Sequence, residues 1–176
     1  LRAEIRGTQQ AIRNAQDGIS WVQTAEGALQ EVHSILQRMR QLAVDAANTA
    51  TTDGAAQQAE VDQLLEELSA IGTRTTFAGK AVFSNYDSGA GGTALTFHVG
   101  ANSGQTLQIS DDLTLTAANV FGEDLSGLDL VTDADGAIGA LDDAIEAVST
   151  VRSQLGATQN RLEHTIANLS VAVENL

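Results

Sequence analysis

The stretch that decides the fold is IGALDDAIEAVSTVRSQLGATQNRLEHTIANLSVAVENL, residues 138–176. Two rows of residues repeat in it every seven positions, offset from each other by three or four positions. One row is Ile138, Ile145, Arg152, Gln159, Ile166 and Val173, and the other is Leu141, Val148, Leu155, Leu162, Leu169 and Leu176. This spacing predicts a long helix over residues 137–176 that packs along a partner helix as in a coiled coil. The polar residues of the first row, Arg152 and Gln159, are expected to fix the register rather than add stability.

A second long helix is predicted at the start of the chain, over residues 1–49. Its first row is Leu1, Thr8, Ala15, Val22, Leu29, Leu36 and Ala43. Its second row starts as Ile5, Ile12 and Ile19 and then shifts by one position to Ala25, Val32, Met39 and Ala46. A straight α-helix drifts in this way against a strict seven-residue repeat, so the shift agrees with a helical assignment.

The middle of the chain changes its pattern. A shorter helix is predicted over residues 55–71, because apolar residues share one face there and Gly72 is placed to end it. Residues 73–115 form a predicted β-hairpin region, in which alternating apolar residues flank the Gly/Asn-rich loop 100–104. Residues 116–136 are read as an acidic loop.

These elements predict a mainly α fold in one domain, residues 1–176. Neither long helix can bury its apolar stripe alone, whereas two long helices and a shorter one can bury all three stripes together. We therefore expect an elongated antiparallel helical bundle, or coiled-coil rod, with the small β-hairpin region at one end.

Composition excludes several classes of function. The net charge of -14 disfavours binding to nucleic acid or to an anionic membrane, since both need clustered Lys and Arg. No cysteine is present, and no HExxH, phosphate-loop, GxGxxG or GxSxG motif occurs. The histidines His33, His98 and His164 fall on separate predicted elements. We therefore expect no enzyme activity, no metal and no cofactor. Because the chain starts at Leu1 without Met and ends within the heptad pattern, we expect it to be part of a longer protein.

Seven stretches of the chain resemble conserved parts of bacterial flagellin. They are residues 14–20, 23–29, 36–44, 75–83, 99–105, 151–162 and 166–169. The first three resemble the family's N-terminal region, the next two its turn after the second helix and its hairpin loop, and the last two its C-terminal helix. Two positions depart from the family pattern, since Trp21 replaces a smaller aliphatic residue and Ala78 a frequent Asn.

The resemblance implies the inner rod domain of a flagellin, without the family's terminal helices and variable outer domains. It implies a structural subunit that self-assembles with other flagellin subunits into the extracellular filament for motility, after secretion through the flagellar export apparatus. A hook–filament junction protein of the same family is the alternative. Residues 17–20 and 159–162 favour filament flagellin over it. A flagellin with an inserted protease domain lacks its HExxH motif here, and the Asn/Gly hairpin disfavours a generic coiled-coil adaptor.

The resemblance also implies recognition by the ectodomain of the host Toll-like receptor 5. The family's contact positions correspond to Gln37, Arg38, Leu42 and Glu67, and the same face is expected to contact the next subunit. Arg38 and Leu42 are four residues apart and lie off the main heptad rows, so we expect them on an accessible flank of the first helix. The alternative is that Arg38 is a solvated cation and that Leu42 widens the apolar stripe against the second helix.

Overall fold

Two long helices and one shorter helix make up most of the computed structural model, which describes residues 1–176. The helices are α1 (Arg2–Ala46), α2 (Ala55–Arg74) and α3 (Ala134–Asn175). The strands are β1 (Thr76–Phe77), β2 (Lys80–Ala81), β3 (Leu95–His98), β4 (Thr106–Ile109), β5 (Leu115–Thr116) and β6 (Asn119–Val120), and a 3-10 turn covers Ser88–Ala90. The strands pair as three antiparallel two-stranded sheets, β1–β2, β3–β4 and β5–β6. The predicted fold class, mainly helical with small antiparallel strand pairs, is confirmed. None of the helices combines the length and the hydropathy that a membrane-spanning segment needs.

The helix ends differ from the predicted bounds by a few residues. The first helix ends at Ala46. A tighter turn follows it, in which the N–H of Asn48 donates to the carbonyl of Asp45, three residues earlier (3.0 Å). The third helix begins at Ala134 rather than at residue 137, because the carboxylate of Asp133 accepts from the N–H of Gly136 (2.9 Å) and caps its first turn.

The second helix continues past its predicted end at residue 71. Gly72 does not end it, and the last helical residue is Arg74. Gly72 is buried and lies against the backbone of Leu115 in β5, where an added Cβ would overlap the carbonyl oxygen. This glycine therefore permits a close approach between α2 and β5 rather than a helix stop.

The chain forms two compact units, each with segments of α1 and α3. Unit 1 comprises Leu1–Thr24, Asn85–Asp112 and Ser153–Leu176, and unit 2 comprises Ala25–Ser84 and Leu113–Arg152. In unit 2 the segments of α1 and α3 run antiparallel, because Glu26 pairs with Arg152 and Arg40 pairs with Asp142.

Unit 1 contains the predicted hairpin, which is confirmed as β3–β4 with Phe97 opposite Leu107. Leu107 packs with Ala15 of α1 and Leu162 of α3 in a small apolar core. Asn14 of α1 fixes the hairpin from its side chain, because its Nδ2 donates to the carbonyl of His98 (2.9 Å). The hairpin therefore closes the apolar stripe that the two helices leave open.

One predicted row of each helix is buried along most of its length, and the other row is only partly right. Leu141, Val148, Leu155 and Leu162 are all buried, as are the residues of the first row of α1 from Thr8 to Ala43. In α3 and in the first part of α1 the second buried row lies one position earlier than predicted, whereas its predicted continuation through Ala25, Val32, Met39 and Ala46 is buried as expected. It contains Ala137, Ala144 and Val151 in α3, and it runs without a shift through Ala11, Gly18 and Ala25 in α1. The isoleucines that were assigned to these rows are half-buried, because small residues occupy the closest contacts.

The segment predicted as an acidic loop, residues 116–136, contains more structure than its pattern indicates. Asn119–Val120 pairs with Leu115–Thr116 as the β5–β6 hairpin, and Leu125 and Leu130 are buried in unit 2. Strands of two residues are too short to produce a visible alternation in the sequence, so periodicity alone does not reveal them.

Candidate contact surface on helices α1 and α2

The candidate functional site of this chain is a surface rather than a reactive centre. No group of three or more His, Asp or Glu side chains is arranged to hold a metal ion. The histidines His33, His98 and His164 lie on α1, β3 and α3 respectively. The candidate site is therefore the part of unit 2 that carries Gln37, Arg38, Leu42 and Glu67. We call the exposed members Gln37, Arg38 and Glu67 the helix surface.

Arg38 is exposed but is not a free solvated cation. Its Nε and Nη2 donate to the two carboxylate oxygens of Glu60 on α2 (2.7 and 3.1 Å), and its Nη1 donates to Gln41 (2.8 Å). The hydrogen bond and the charge of Glu60 raise the pKa of Arg38 above its ordinary value. This two-point pairing holds the planar guanidinium in one orientation at the surface, between α1 and α2.

Glu67 lies in a second ion-pair group on α2. Its carboxylate accepts from Nη2 of Arg74 (2.8 Å), which lies about two turns further along the same face of α2. Arg74 also lies 3.7 Å from Glu31 of α1. The hydrogen bond and the charge of Glu67 raise the pKa of Arg74. Arg38 and Arg74 therefore each connect α1 to α2 through carboxylates at the surface.

Leu42 does not belong to the accessible flank, and the expectation that a partner could reach it is wrong. Its side chain is only 7% exposed, and it belongs to the buried apolar core. It follows the alternative given above, in which it widens the buried stripe. The cause is the width of that stripe in α1, where both Leu42 and its neighbour Ala43 are buried.

Gln37 lines an open groove of about 430 Å³ between α1 and α3, together with Arg40, Gln41, Val44 and Ile145. Nε of Arg40 donates to Asp142 across this groove (2.6 Å). Val44 is 47% exposed, which makes it one of the few exposed large apolar side chains of the chain. Sequence reasoning did not single out Val44, and its position off both heptad rows of α1 does not distinguish it from the buried Leu42.

The chain is similar to known proteins over all three of its helices. The model of the bacterial flagellin N-terminal helical region matches residues 1–88, and the model of the bacterial flagellin C-terminal helical region matches residues 138–176. The chain is 48% identical to a flagellin of Halalkalibacterium halodurans over 181 residues, which covers 100% of this chain and 64% of that protein. It is 40% identical to a flagellin of Bacillus subtilis over 205 residues, which covers 100% of this chain and 67% of that protein. The chain thus spans about two thirds of the length of these relatives.

Two solved structures share the fold. The crystal structure of Bacillus cereus flagellin superposes with a TM-score of 0.68 at 27% identity, covering 89% of this chain and 88% of that one. The structure of a putative flagellar hook-associated protein from Vibrio parahaemolyticus superposes with a TM-score of 0.71 at 16% identity, covering 98% of this chain and 90% of that one, and shows the fold alone. Both family models, the curated relatives and the structure of a flagellin agree, so this chain belongs to the bacterial flagellin family, a family of structural proteins and not of enzymes.

Proposed function

We propose that this chain is the helical core of a flagellar filament subunit, which is exported through the flagellar export apparatus and assembles outside the cell. The observation that carries the proposal is the position of the two family models. They cover α1 with α2 and most of α3, the elements that pack together in this structure. The curated relatives that align with the full length of the chain are flagellins, which supports the same reading.

A filament requires contacts that repeat without closing, so a subunit needs complementary exposed patches rather than one self-matching face. Val44 and Val131 are 47% and 51% exposed in unit 2, and we take Val44 as a candidate for such a contact because it also lines the groove between α1 and α3. The groove beside Val44 and the ordered charges of the helix surface supply shape and polarity around it.

The proposal is tested by a chimaeric flagellin in a Bacillus subtilis strain without its own flagellin. Residues 1–176 replace the matching part of the Bacillus subtilis protein, which supplies the remaining third of the length. We expect extracellular filaments by electron microscopy and restored swimming. The control is the host's own segment reinserted at the same junctions. A chimaera that is exported and folded but leaves no filament would contradict the proposal.

A hook–filament junction protein remains the alternative, since a hook-associated protein shares the fold. The two functions differ in whether one kind of subunit can extend a filament. The same chimaera separates them, because a junction protein would be expected to give short caps or no polymer in a strain that makes no other filament subunit.

We further propose that the helix surface contacts the ectodomain of Toll-like receptor 5 and, in the filament, the neighbouring subunit. Gln37, Arg38 and Glu67 are exposed, and they offer an amide, a fixed guanidinium and a carboxylate, respectively, to a partner. Leu42 supports this surface from below as a buried residue. An exposed Arg that a partner covers at the centre of an interface is a frequent hot spot, so Arg38 is the residue expected to contribute most.

The receptor proposal is tested by measuring binding of the purified ectodomain to the wild type and to Arg38→Ala and Glu67→Ala. Arg13→Ala is the matched control, because Arg13 is an exposed arginine of α1 that hydrogen-bonds only within its own helix, to Gln10. We expect the affinity to fall at least about tenfold for Arg38→Ala and to stay unchanged for Arg13→Ala. Equal binding by all variants would contradict the site, and no binding by the wild type would contradict receptor recognition.

A further inference from the structure

The basic residues of this chain are almost all arginine. Eight of the nine are Arg, and Lys80 is the single lysine. An arginine side chain stays protonated at any pH that a protein meets, whereas a lysine ammonium loses its proton near pH 10.4. Lys80 is exposed on β2 and takes part in none of the ion pairs described above.

Every ion pair of the structure uses one of these arginines. Arg38 faces Glu60 at 2.7 Å, with Asp45 as a more distant acid, and Arg40 faces Asp142 at 2.6 Å. The remaining pairs are Arg74 with Glu67 and Glu31, and Arg152 with Glu26. Arg74–Glu67 lies within α2, and the other four pairs join α1 to α2 or α1 to α3 within unit 2. Each of these links between helices uses a cation that alkali does not discharge.

The other groups that titrate in alkali are few. The chain has no cysteine and a single tyrosine, Tyr86, which is buried in unit 1. Burial raises the pKa of Tyr86, because the phenolate would lose its hydration.

The turn between β1 and β2 gives an independent observation. Its two residues, Ala78 and Gly79, both have positive φ angles, 52° and 79°. A two-residue hairpin loop with this backbone is a type I′ turn, in which Asn-Gly is the preferred pair, and alanine is strained there. No Asn-Gly pair occurs anywhere in the chain.

Asn-Gly is the pair that alkali damages most readily. Base removes the proton from the glycine amide nitrogen, which attacks the side-chain carbonyl carbon of the asparagine. A new N–C bond forms, ammonia leaves, and water then opens the cyclic imide to an acid. Alanine has no side-chain carbonyl and cannot react, so Ala78 keeps an exposed turn chemically inert at the cost of backbone strain.

From these two observations we infer that this chain is adapted to an alkaline medium. The arginine-only ion pairs of unit 2 keep their cations charged in alkali, and the turn at Ala78 avoids a base-labile sequence. The inference rests on the proposed function in one respect, since only a protein outside the cell meets the pH of the medium directly. Its tests use the purified chain and do not depend on filament formation.

The ion-pair part is tested with a variant that carries Arg38→Lys, Arg40→Lys, Arg74→Lys and Arg152→Lys. Lysine preserves each charge at about pH 8 but loses most of it at about pH 11, whereas arginine stays charged at both. We expect the fall in Tm between these two pH values to be about 3 °C or more greater for the variant than for the wild type. Any loss through Tyr86 is common to both chains and cancels in this comparison. An equal fall in both overturns the ion-pair argument, and if the fourfold variant does not fold at pH 8, Arg38→Lys with Arg74→Lys is compared in the same way.

The turn part is tested with Ala78→Asn, which restores the preferred type I′ pair. We expect this variant to melt at a higher temperature than the wild type at about pH 8, because Asn tolerates the left-handed backbone. After incubation at about pH 11, mass spectrometry of the peptide containing residue 78 is expected to show conversion of the amide to the acid, with no mass change in the wild-type peptide. A variant that is no more stable at neutral pH, or whose residue 78 survives the alkali, overturns this part of the inference.

Discussion

Gly72 of α2 lies directly against the carbonyl of Leu115 in β5, with no room between them for a side chain. Gly72→Ala is therefore expected to lower the free energy of unfolding by about 1–3 kcal/mol, because the backbone of β5 must move to admit a methyl group. Gly27→Ala is the matched control, since a Cβ on Gly27 of α1 would meet nothing within 4 Å. That change is expected to stabilise by about 0.5–1 kcal/mol, because alanine is the better helix former. Urea unfolding of the two variants checks both signs, and a neutral Gly72→Ala would contradict the close approach.

Two truncations in α3, one of a leucine and one of an isoleucine, are expected to differ widely in their effect on stability. Leu155 is 2% exposed, so Leu155→Ala is expected to cost about 2–5 kcal/mol through the cavity that it leaves. Ile138 belonged to the row predicted from the sequence but is only half-buried, so Ile138→Ala is expected to cost clearly less. Equal losses in thermal unfolding would restore the sequence-based assignment of the seam.

Leu42 and Val44 provide a test of which side chains of α1 face the core. Leu42→Ala is expected to lower stability by about 2–5 kcal/mol, as for other buried leucines. Val44→Ala, at 47% exposure, is expected to change stability by less than about 0.5 kcal/mol. If Leu42→Ala also weakens receptor binding, the loss should accompany the loss of stability and recover at lower temperature, where the variant is folded.

Tyr86 predicts how stability depends on alkaline pH. Its pKa in the folded chain is raised above the ordinary value of about 10, so the folded state holds the phenolic proton more tightly than the unfolded state. The stabilisation is complete below about pH 10 and is lost as the pH rises through the folded pKa. Urea unfolding between about pH 8 and about pH 11 should therefore show a decline in the wild type. Tyr86→Phe has no ionisable group at this position, and a decline of the same size in this variant would assign the effect to other groups.

The fold could be predicted from the sequence because the rows of large aliphatic residues, such as Leu141 to Leu162, and the alternation around Phe97 have regular periods. The second row could be predicted in the later part of α1, from Ala25 to Ala46, but not in the first part of α1 or in α3. Hydrophobicity selects Ile12 and Ile138, whereas the closest contacts are made by Ala11 and Ala137, whose small side chains let another backbone approach. A hydropathy scale ranks isoleucine above alanine, whereas at these positions the alanines are the more deeply buried residues.

The sequence indicates the kinds of side chain on the candidate surface, but not how deeply each one is buried or what it pairs with. Arg38 is exposed as its charge indicates, but its pairing with Glu60 depends on a contact between residues far apart in the chain. Leu42 is hidden because the apolar stripe of α1 is wider than two heptad rows, a width set by the packing of several neighbouring elements. Only the folded chain shows which of two nearby apolar residues, Leu42 or Val44, stays in contact with water.

Trp21 is the single tryptophan of the chain, and it lies in unit 1 with its ring edge-on to those of Tyr86 and Phe97, at centroid distances of 6.1 and 6.4 Å. Its indole is 4% exposed, so its fluorescence emission is expected to be blue-shifted in the folded chain and to shift to the red when water reaches it. Unit 2 contributes no indole to this signal, whereas circular dichroism of the helices reports on both units. Recording the two signals during one unfolding experiment will therefore separate the opening of unit 1 from the melting of the whole chain, without a label or a mutation.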